Sequence, residues 1–486
     1  MRKILSVIFL TAIISPNAFA NDKTLVKFHE WLIQNNSKEF VKINEHYEEC
    51  KNCTRWDAGP QCFEEIAKPK KQCVLDGDQS YGENGYKWSN RKYKNNLKIK
   101  FYDGWIPESW ENVKPNYGTL VYELFRFIER PFKIQRVDTY EVEPSSNPYE
   151  FRSSLKEDKY IDKQLKKTAL LSYLLFEDGQ ITIDKISPND RFGKFINNET
   201  KLRSMSVGRS MASYTLAHAI CDGYIDSFDT RLDDWPLLEN TLYYNQKLSD
   251  ILNMNSGDHE YIESGEFINS DGLAEKFRGS LDDGYISLKE YLYHLKNTKP
   301  SIGKKPRFNY NSINSSIVLN YVLFKTGDDF EKILEKTFKD KAKIKNSVFF
   351  YKTTDRPKKE GNVNIQFYAT RYDYLRIAKA MLDDWQNDTC EGKYLKTIFE
   401  NSISKDTKRL QAQGKTVSWP FARRYAGQFQ THPKGIIKER PIMIMHGYGG
   451  QHVVIDMERS RIVVTNAIHE NFNFPKIVYG TIKKGK

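Results

Sequence analysis

An aspartate–glycine pair between two apolar runs limits the possible folds of this 486-residue chain more than any other local feature. Residues 168–186 read TALLSYLLFEDGQITIDKI, and Asp178-Gly179 divides them into two runs of strand-forming residues. A two-residue hairpin loop needs positive φ at its central positions, and aspartate and glycine tolerate that conformation best. The segment therefore predicts a β-hairpin within an antiparallel sheet.

A serine-bearing helix is predicted after the hairpin. Residues 204–226 read SMSVGRSMASYTLAHAICDGYID, with apolar residues at helical spacing and Asp222-Gly223 as a stop. A short helix ending at Ser256-Gly257 and a long helical middle follow, and two β-branched strands close the chain. These later segments are 248–257, 315–327, 370–386 and 451–468. The pattern predicts an α+β fold in which helices flank an antiparallel sheet.

The first 20 residues have the layout of a secretory signal peptide. Arg2 and Lys3 precede an apolar run, and Ala18-Phe19-Ala20 provides a small-x-small cleavage site. The alternative is a membrane anchor, but the apolar run is short for a bilayer span of about 20 residues. We expect an exported protein that starts near Asn21 and has no integral membrane segment, periplasmic in a bacterium with two membranes.

The composition is that of a folded, basic protein, with a formal net charge of +12 and 13% aromatic residues. The lysines are scattered, and no dense basic helix with stacking aromatics occurs, which argues against nucleic acid as a partner. A chain of this length exceeds what one core usually organises, so we expect two domains. An irregular region at 21–140, with one helix near 120–129, would precede a domain at 141–486.

The cysteines divide into a cluster of four and two separate residues. Cys50, Cys53, Cys62 and Cys73 form the cluster, and in an oxidising compartment they most simply make two disulfides of undetermined pairing. A zinc site is the alternative, but a second close Cys-x-x-Cys pair is missing. The two separate cysteines are at positions 221 and 390, and we expect Cys221 to be packed in its helix as a free thiol.

Five segments, in this order, carry a resemblance to one family of enzymes. They are SVGRS (206–210), GYIDSFDTRLDDW (223–235), LSDILNMNSG (248–257), FNYNSINSSIVLNYVLFKTG (308–327) and HGYGGQHVVIDMERSRIVVTN (446–466). With the hairpin, they resemble the serine β-lactamases and penicillin-binding proteins, most closely the class C β-lactamases and the related esterases and amide hydrolases. The resemblance covers the chain from about residue 140 onwards. It implies a β-lactamase-like antiparallel sheet with helices and a mostly helical subdomain.

The resemblance makes Ser206 the catalytic serine, with its backbone N–H as half of an oxyanion hole at the start of the helix. Arg209, one turn later on the same face, replaces the family's lysine. A guanidinium cannot accept the serine proton. We expect Arg209 to favour the phenolate of Tyr310, which would then act as general base. Alternatively, Ser206 is an ordinary helix serine and Arg209 a salt-bridge residue.

The Tyr-Asn-Ser triplet at 310–312 departs from the family's Tyr-x-Asn. Ser312 can both donate and accept a hydrogen bond, so it is a candidate substrate-binding residue in place of the asparagine. Asn311 or Asn314 is an alternative for the same role.

The segment at 446–448 resembles the family's third motif, and the resemblance implies that it supplies the other half of the expected oxyanion hole. The N–H of Tyr448 would be the second donor, Gly447 would let substrate approach the strand, and His446 is also assigned to substrate binding. Met445 stands in place of the family's lysine, which argues against the standard β-lactam carboxylate anchor and for an ester or amide substrate. We interpret His446 and His452 as hydrogen-bonding strand residues, and we expect neither a metal nor another cofactor.

Two functions follow from these residues. The first is an exported serine hydrolase that forms an acyl-enzyme on an ester, a small amide or a cell-wall peptide. The second is a catalytically impaired homologue whose cleft binds a component of the cell envelope, because Arg209 replaces the lysine. The expected partner is thus a small molecule or an envelope component.

Overall fold

The computed structural model describes residues 88–92, 98–102, 117–128, 139–263, 266–267, 287–301, 307–352, 361–405, 421–435 and 440–484. The expected signal peptide at 1–20 and the cysteine cluster lie outside these residues. No helix in the described ranges is both long enough and apolar enough to cross a bilayer.

The described strands form one large sheet, one smaller sheet and two short ribbons. In chain order the strands are β1 (Trp88–Lys92), β2 (Lys98–Tyr102), β3 (Thr139–Val142), β4 (Leu170–Glu177), β5 (Gln180–Ile186), β6 (Lys201–Arg203), β7 (Ile262–Glu263), β8 (Glu266–Phe267), β9 (Val348–Lys352), β10 (Val363–Thr370), β11 (Ile403–Ser404), β12 (Ala422–Ala426), β13 (Phe429–Pro433), β14 (Ile442–Gly447), β15 (Gln451–Asp456) and β16 (Arg461–Ala467). The large sheet has the order β11-β12-β13-β14-β15-β16-β4-β5, and the smaller has the order β3-β9-β10-β6. Adjacent strands pair antiparallel throughout.

Helices cover both faces of the large sheet. They are α1 (Tyr117–Ile128), α2 (Lys159–Lys167), α3 (Val207–Cys221), α4 (Leu248–Leu252), α5 (Leu288–Tyr293), α6 (Ser312–Thr326), α7 (Phe330–Leu334), α8 (Arg371–Gln386), α9 (Cys390–Glu400) and α10 (Gly480–Lys484). Tighter or wider helical turns occur at Gly193–Phe195, Pro236–Leu238, Gly327–Asp329, Glu335–Lys341 and Pro475–Tyr479. The α+β class with helices flanking an antiparallel sheet is confirmed.

The alternation of side chains along β14 separates two apolar cores. Met443 and Met445 face the core that contains α3, α6 and α8. Ile442 and Ile444 face the opposite core, which contains α2 and the C-terminal helical segment. Since successive side chains of a strand point to opposite faces, the helix that carries Ser206 packs on the first of these two faces.

The predicted hairpin is confirmed. Asp178 has φ 52° and Gly179 has φ 72°, and the flanking residues Glu177 and Gln180 pair across β4 and β5. Positive φ at both loop positions is the geometry that matches the twist of the two strands. The helix stop is also confirmed, because α3 ends at Cys221 and is followed by Gly223 with φ 79°.

Two details differ from the sequence predictions. Helix α4 ends at Leu252, four residues before the predicted Ser256-Gly257 stop, because Asn253 already caps it through its backbone N–H. The middle of the chain also contains β9 and β10, which the helical interpretation missed. Short apolar runs of this length are ambiguous between strand and buried helix.

Cys221 is not a free thiol, and this prediction was wrong. It forms a disulfide with Cys390, 169 residues later, which joins the end of α3 to the start of α9. A histidine–carboxylate contact lies beside the bridge, where His218 Nδ1 is 3.2 Å from Glu391 Oε1. The hydrogen bond to His218 lowers the pKa of Glu391 to about 2, against the effect of burial.

Strand β3 spans the position 140/141 that the sequence suggested as a domain boundary. It pairs with β9, with Tyr140 opposite Phe350, and is thus part of the smaller sheet. The segment after it is also bonded to the body of the protein, since Ser145 N donates to Ile344 O at 2.9 Å. The described residues just before 141 therefore take part in the same sheet as those after it.

Candidate functional site

Ser206 lies at the start of α3, and the residue before it is in a strained conformation. Met205 has φ 50°, in the left-handed region that bulky residues rarely occupy. Such strain persists only where surrounding contacts impose it, and it is common at functional sites. The Ser206 side chain makes no capping hydrogen bond to the helix, and the residue is partly exposed. The Ser206 side chain therefore does not cap α3.

The contacts that impose the strain come from β10. Ser204 N donates to Phe367 O at 2.8 Å, and Phe367 N donates to Ser204 Oγ at 2.9 Å. Gly208, in the first turn of α3, is so close to β10 that a Cβ there would lie 2.0 Å from Ile365 O. This glycine is required by the close approach, and it brings the start of the helix onto the bulged part of β10.

The end of β14 lies against the same segment. A Cβ at Gly447 would be 2.6 Å from Ser204 O and 3.1 Å from Met205 Cβ. Among the described residues, β13 pairs with β14 only at Ile444 and Met443, so the last residues of β14 have a paired strand on the β15 side alone. The start of the serine helix and an open strand edge are thus adjacent.

Arg209 is buried and connects α3 to α6. Its Nη1 donates to Asn311 O at 2.8 Å and to Ser315 Oγ at 2.7 Å, and its Nη2 donates to Ser312 Oγ at 2.9 Å. The guanidinium carbon lies 4.7 Å from the centre of the Tyr310 ring. The structure therefore brings Arg209, Tyr310 and Ser312 together, as the sequence predicted.

No hydrogen bond joins Ser206 to Arg209 or Tyr310 in the part of the chain that is described. The guanidinium is directed to the start of α6 instead. Arg209 thus holds the Tyr310 segment through its hydrogen bonds to Asn311, Ser312 and Ser315.

Tyr310 is half-buried and packs against an aromatic group that sequence reasoning did not identify. Its ring centre lies 6.0 Å from that of Tyr425 and 6.2 Å from that of Phe308. Burial raises the pKa of Tyr425 well above its ordinary value, so Tyr425 is a neutral packing partner at neutral pH. Tyr425 lies on β12, far from Tyr310 in sequence, and has no distinguishing motif.

Asp258 holds the residues on either side of Tyr310. Its carboxylate accepts hydrogen bonds from Asn309 at 2.6 Å, Asn311 at 2.8 Å and Asn314 at 3.0 Å. Asn311 and Asn314 are buried, and both amide nitrogens donate to Asp258 within this network. Of the three candidates for the role of the family's asparagine, Ser312 is the one that faces Arg209.

Gln428 is linked to Arg209 by hydrogen bonds through Ser315. Its Oε1 accepts from Ser315 Oγ at 2.6 Å, and Ser315 in turn accepts from Arg209. Gln428 has φ 74° in the turn between β12 and β13, and its Nε2 donates to Leu252 O at 2.9 Å. Its backbone O accepts from Ser210 Oγ at 2.7 Å, so one turn residue contacts both helices of the site.

A buried lysine lies close to the aromatic group. Lys405 Nζ is 5.8 Å from the centre of the Phe308 ring and donates to Gln430 Oε1 at 2.8 Å. Burial, together with the charge of Lys434, lowers the pKa of Lys405 to about 7. The sequence offered no signal for it, because nothing marks one lysine among many as buried.

His446 lies on the other face of β14 from the helix α3. Its Nε2 is 2.7 Å from Glu470 Oε1, and its ring centre is 4.9 Å from that of His452. Burial, assisted by the charge of Lys405, lowers the pKa of His446 to about 3, and burial raises that of Glu470 to about 7. The ring is thus directed to Glu470, whereas the main chain of the next residue, Gly447, adjoins the serine segment.

The comparisons with known proteins were made by sequence and by structure. No protein-family model matches the chain, and no curated protein matches it significantly in sequence. Solved structures do match. A Bacillus anthracis protein assigned as a 6-aminohexanoate-dimer hydrolase is similar with TM-score 0.53 and 14% identity over 71% of this chain and 89% of its own.

Two further similar structures have lower scores. A D-stereospecific amidohydrolase from Streptomyces has TM-score 0.46 and 11% identity, covering 68% of this chain and 100% of its own. A class C β-lactamase has TM-score 0.46 and 12% identity, covering 68% and 95%. The similarity to the first of these structures shows that the chain shares its fold with the Bacillus anthracis protein.

Proposed function

We propose that the protein is a serine hydrolase that forms an acyl-enzyme on Ser206 with an ester or amide substrate. The observation that carries the proposal is the start of α3: a partly exposed serine follows the strained Met205 and makes no capping hydrogen bond. The open edge of β14 at Gly447 adjoins it. A serine hydroxyl that does not cap its helix, beside a strand edge left unpaired by the described residues, fits the arrangement that acyl transfer to serine requires.

In the proposed mechanism, the phenolate of Tyr310 takes the Ser206 proton as the hydroxyl attacks the carbonyl carbon. The N–H groups of Ser206 and Tyr448 then stabilise the oxyanion of the tetrahedral intermediate. Tyr310 then gives this proton to the leaving alcohol or amine as the tetrahedral intermediate collapses to the acyl-enzyme, and a water molecule later hydrolyses that ester by the reverse sequence. Arg209 cannot take the proton, so its role is to hold the Tyr310 segment and to stabilise the negative charge of the Tyr310 phenolate. Catalytic hydrogen bonds are often long in unliganded enzymes and tighten with substrate, which accommodates the missing Ser206–Tyr310 bond.

The segment from Met445 to Tyr448 fits best an ester or amide substrate that is not held by a lysine–carboxylate ion pair. Met445 occupies the position of the family's lysine, and its side chain is buried in the core beside α3. The sequence suggests small-molecule and cell-envelope substrates. Methionine at position 445 favours those whose binding does not require a lysine–carboxylate ion pair. Export to the periplasm would give access to cell-wall peptides as well as to small esters.

The proposal is tested with an activity-based fluorophosphonate probe on the full chain. We expect labelling of the wild type and no labelling of Ser206→Ala. Ser227→Ala, an exposed serine in the turn after α3, is the matched control and should label like the wild type. Labelling that persists in Ser206→Ala would refute the assignment of the nucleophile.

A non-catalytic binding function is the second candidate, and one observation favours it. Arg209 replaces the residue that would activate the serine, and its guanidinium is engaged with Asn311, Ser312 and Ser315. In that case the cleft would bind an envelope component without turnover. Absence of labelling at every pH, together with retention of purified cell-wall fragments by the folded protein, would favour this function over the first.

A further inference from the structure

Two histidines and a glutamate, which are side chains of the types that bind metal ions, lie together on the face of the large sheet away from α3. His446 on β14 and His452 on β15 are directly paired in the sheet, so both rings project from the same face. Glu470 follows β16 and reaches the same point from the neighbouring segment. The three side chains thus come from three separate stretches of the chain.

We propose that His446, His452 and Glu470 bind one divalent transition-metal ion of the zinc class. Within the described residues these three form a group whose ligand atoms all lie within 4.8 Å of one another. Two imidazoles and one carboxylate are an established ligand set for zinc, with bonds of about 2.0–2.2 Å. Ligand atoms around a tetrahedral ion of that size are roughly 3.4 Å apart, so a small side-chain adjustment completes the site.

His446 and Glu470 are in direct hydrogen-bond contact, so a metal ion between them requires the two ligand atoms to move apart. Nε2 and Oε1 are 2.7 Å apart, and both side chains are largely buried at 10% and 7% exposure. A metal ion would replace the single proton that now joins these two atoms. Loss of that proton on metal binding is the usual chemistry of histidine and carboxylate ligands.

The surroundings orient His452 for the same role. Its Nδ1 lies 3.5 Å from the hydroxyl of Tyr479, which is the kind of second contact that sets the tautomer and orientation of a metal-bound histidine. Phe474 stacks on the ring at a centre-to-centre distance of 5.3 Å, and Phe472 meets its edge at 6.1 Å. These aromatic rings exclude bulk water from one side of the group.

The inferred ion would join β14, β15 and the segment after β16 beside the candidate active site. His446 immediately precedes Gly447, whose main chain adjoins the Ser206 segment. The role assigned to the ion is therefore structural: it holds the end of β14 in place. The inference does not depend on the proposed hydrolase activity.

The test uses the full chain, stripped with a chelator and titrated with Zn²⁺. We expect one equivalent bound at the histidine–glutamate site, with nitrogen and oxygen ligands in the zinc X-ray absorption spectrum. This spectrum separates the site from any thiolate site at the N-terminal cysteines, which would show sulfur at about 2.3 Å. Zinc should also raise the Tm of the wild type, since it binds the folded state.

Glu470→Gln is the decisive variant, because glutamine keeps the shape and a hydrogen bond to His446 but loses the anionic ligand. Its zinc affinity should fall on the order of 100-fold or more. Glu391→Gln is the matched control, since Glu391 also contacts a histidine but belongs to no three-ligand group among the described residues. If Glu470→Gln does not fold, His452→Asn takes its place.

Three results would overturn the proposal. They are an unaltered zinc affinity in Glu470→Gln and His452→Asn, a zinc spectrum that contains sulfur ligands only, and the absence of bound zinc and of any Tm increase in the wild type.

Discussion

The guanidinium of Arg209 lies over the ring of Tyr310, with 4.7 Å between the guanidinium carbon and the ring centre. The same group donates hydrogen bonds to Asn311 O, Ser312 Oγ and Ser315 Oγ. An arginine that stacks on an aromatic ring while its nitrogens form several fixed bonds is not equivalent to a lysine. Arg209 therefore organises the start of α6 and the phenol beside it, a task that differs from accepting a proton.

Arg209→Lys should lower the rate of Ser206 labelling by about 10- to 100-fold, although it restores the family's Ser-x-x-Lys spacing. A lysine cannot make both the three hydrogen bonds of the guanidinium and its contact with the ring. Loss of these contacts would reduce the free energy that holds the Tyr310 segment in place by about 1–3 kcal/mol. The rate constant with the fluorophosphonate probe measures the effect. Arg231→Lys, at an exposed arginine bonded to Asn245, serves as control. An equal or faster rate in Arg209→Lys would contradict the prediction.

Gly447→Ala should abolish labelling without unfolding the protein. A Cβ at this position would lie 2.6 Å from Ser204 O, so β14 must move away from the serine segment. Displacement of an oxyanion donor costs about 100- to 1,000-fold in rate. Gly480→Ala, where the nearest atom would be 3.4 Å away, is the matched glycine control. Normal labelling of Gly447→Ala would show that the strand edge is not part of the site.

Replacing Cys221 and Cys390 together by serine should lower the free energy of unfolding by about 3–5 kcal/mol. The bridge closes a loop of 169 residues, and long loops gain most from a cross-link in the unfolded state. Urea unfolding followed by circular dichroism measures the change. Mass spectrometry after alkylation provides the independent check, because a bridged wild type keeps both cysteines unmodified. Alkylation of both cysteines in the folded wild type would rule out the bridge.

Lys405→Met should stabilise the protein at neutral pH and weaken the pH dependence of its stability. The folded-state pKa of Lys405 is about 7, below the unfolded value of about 10.4. Between these values the unfolded chain binds one more proton than the folded chain, so stability rises with pH from about 7 to 10. Below pH 7 the buried amine is charged in both states, and the cost of its burial is present in full.

The variant removes this cost together with the hydrogen bond to Gln430, so we expect a net gain of about 1–3 kcal/mol at pH 7. Urea unfolding at several pH values from 6 to 9.5 measures it. Lys166→Met, at an exposed lysine on α2, should leave the pH profile unchanged. A lower stability of Lys405→Met at pH 7 would contradict the prediction.

Elements that depend on near neighbours were predictable. The Asp178-Gly179 hairpin, the helix after Ser206 and its stop at Gly223 each follow from turn chemistry or periodicity within a few residues. Strands β9 and β10 were not recognised, because short apolar runs do not reveal whether they pair in a sheet or pack in a helix. The helix at residues 117–128 was expected within a few residues of its actual position.

The candidate site was predictable only where a motif marks it. The motif spacing marks Ser206, Arg209, Tyr310 and Ser312. The structure brings Arg209, Tyr310 and Ser312 together. Asp258 and Gln428, which hold the Tyr310 segment and Arg209, have no local pattern. Each is an isolated polar residue whose partners lie on other elements, and the same is true of Glu470 beside His446.

The sequence alone determined the order of the elements, the α+β class and the arginine at position 209 in place of the family's lysine. Each of these depends on residues that lie close together along the chain. The tertiary structure alone decided that Cys221 pairs with Cys390 and that Arg209 is directed to the start of α6. It also decided that His446, His452 and Glu470 meet. The physical reason is that these are contacts between distant segments, and only the packing of the sheet against its helices sets the distances between them.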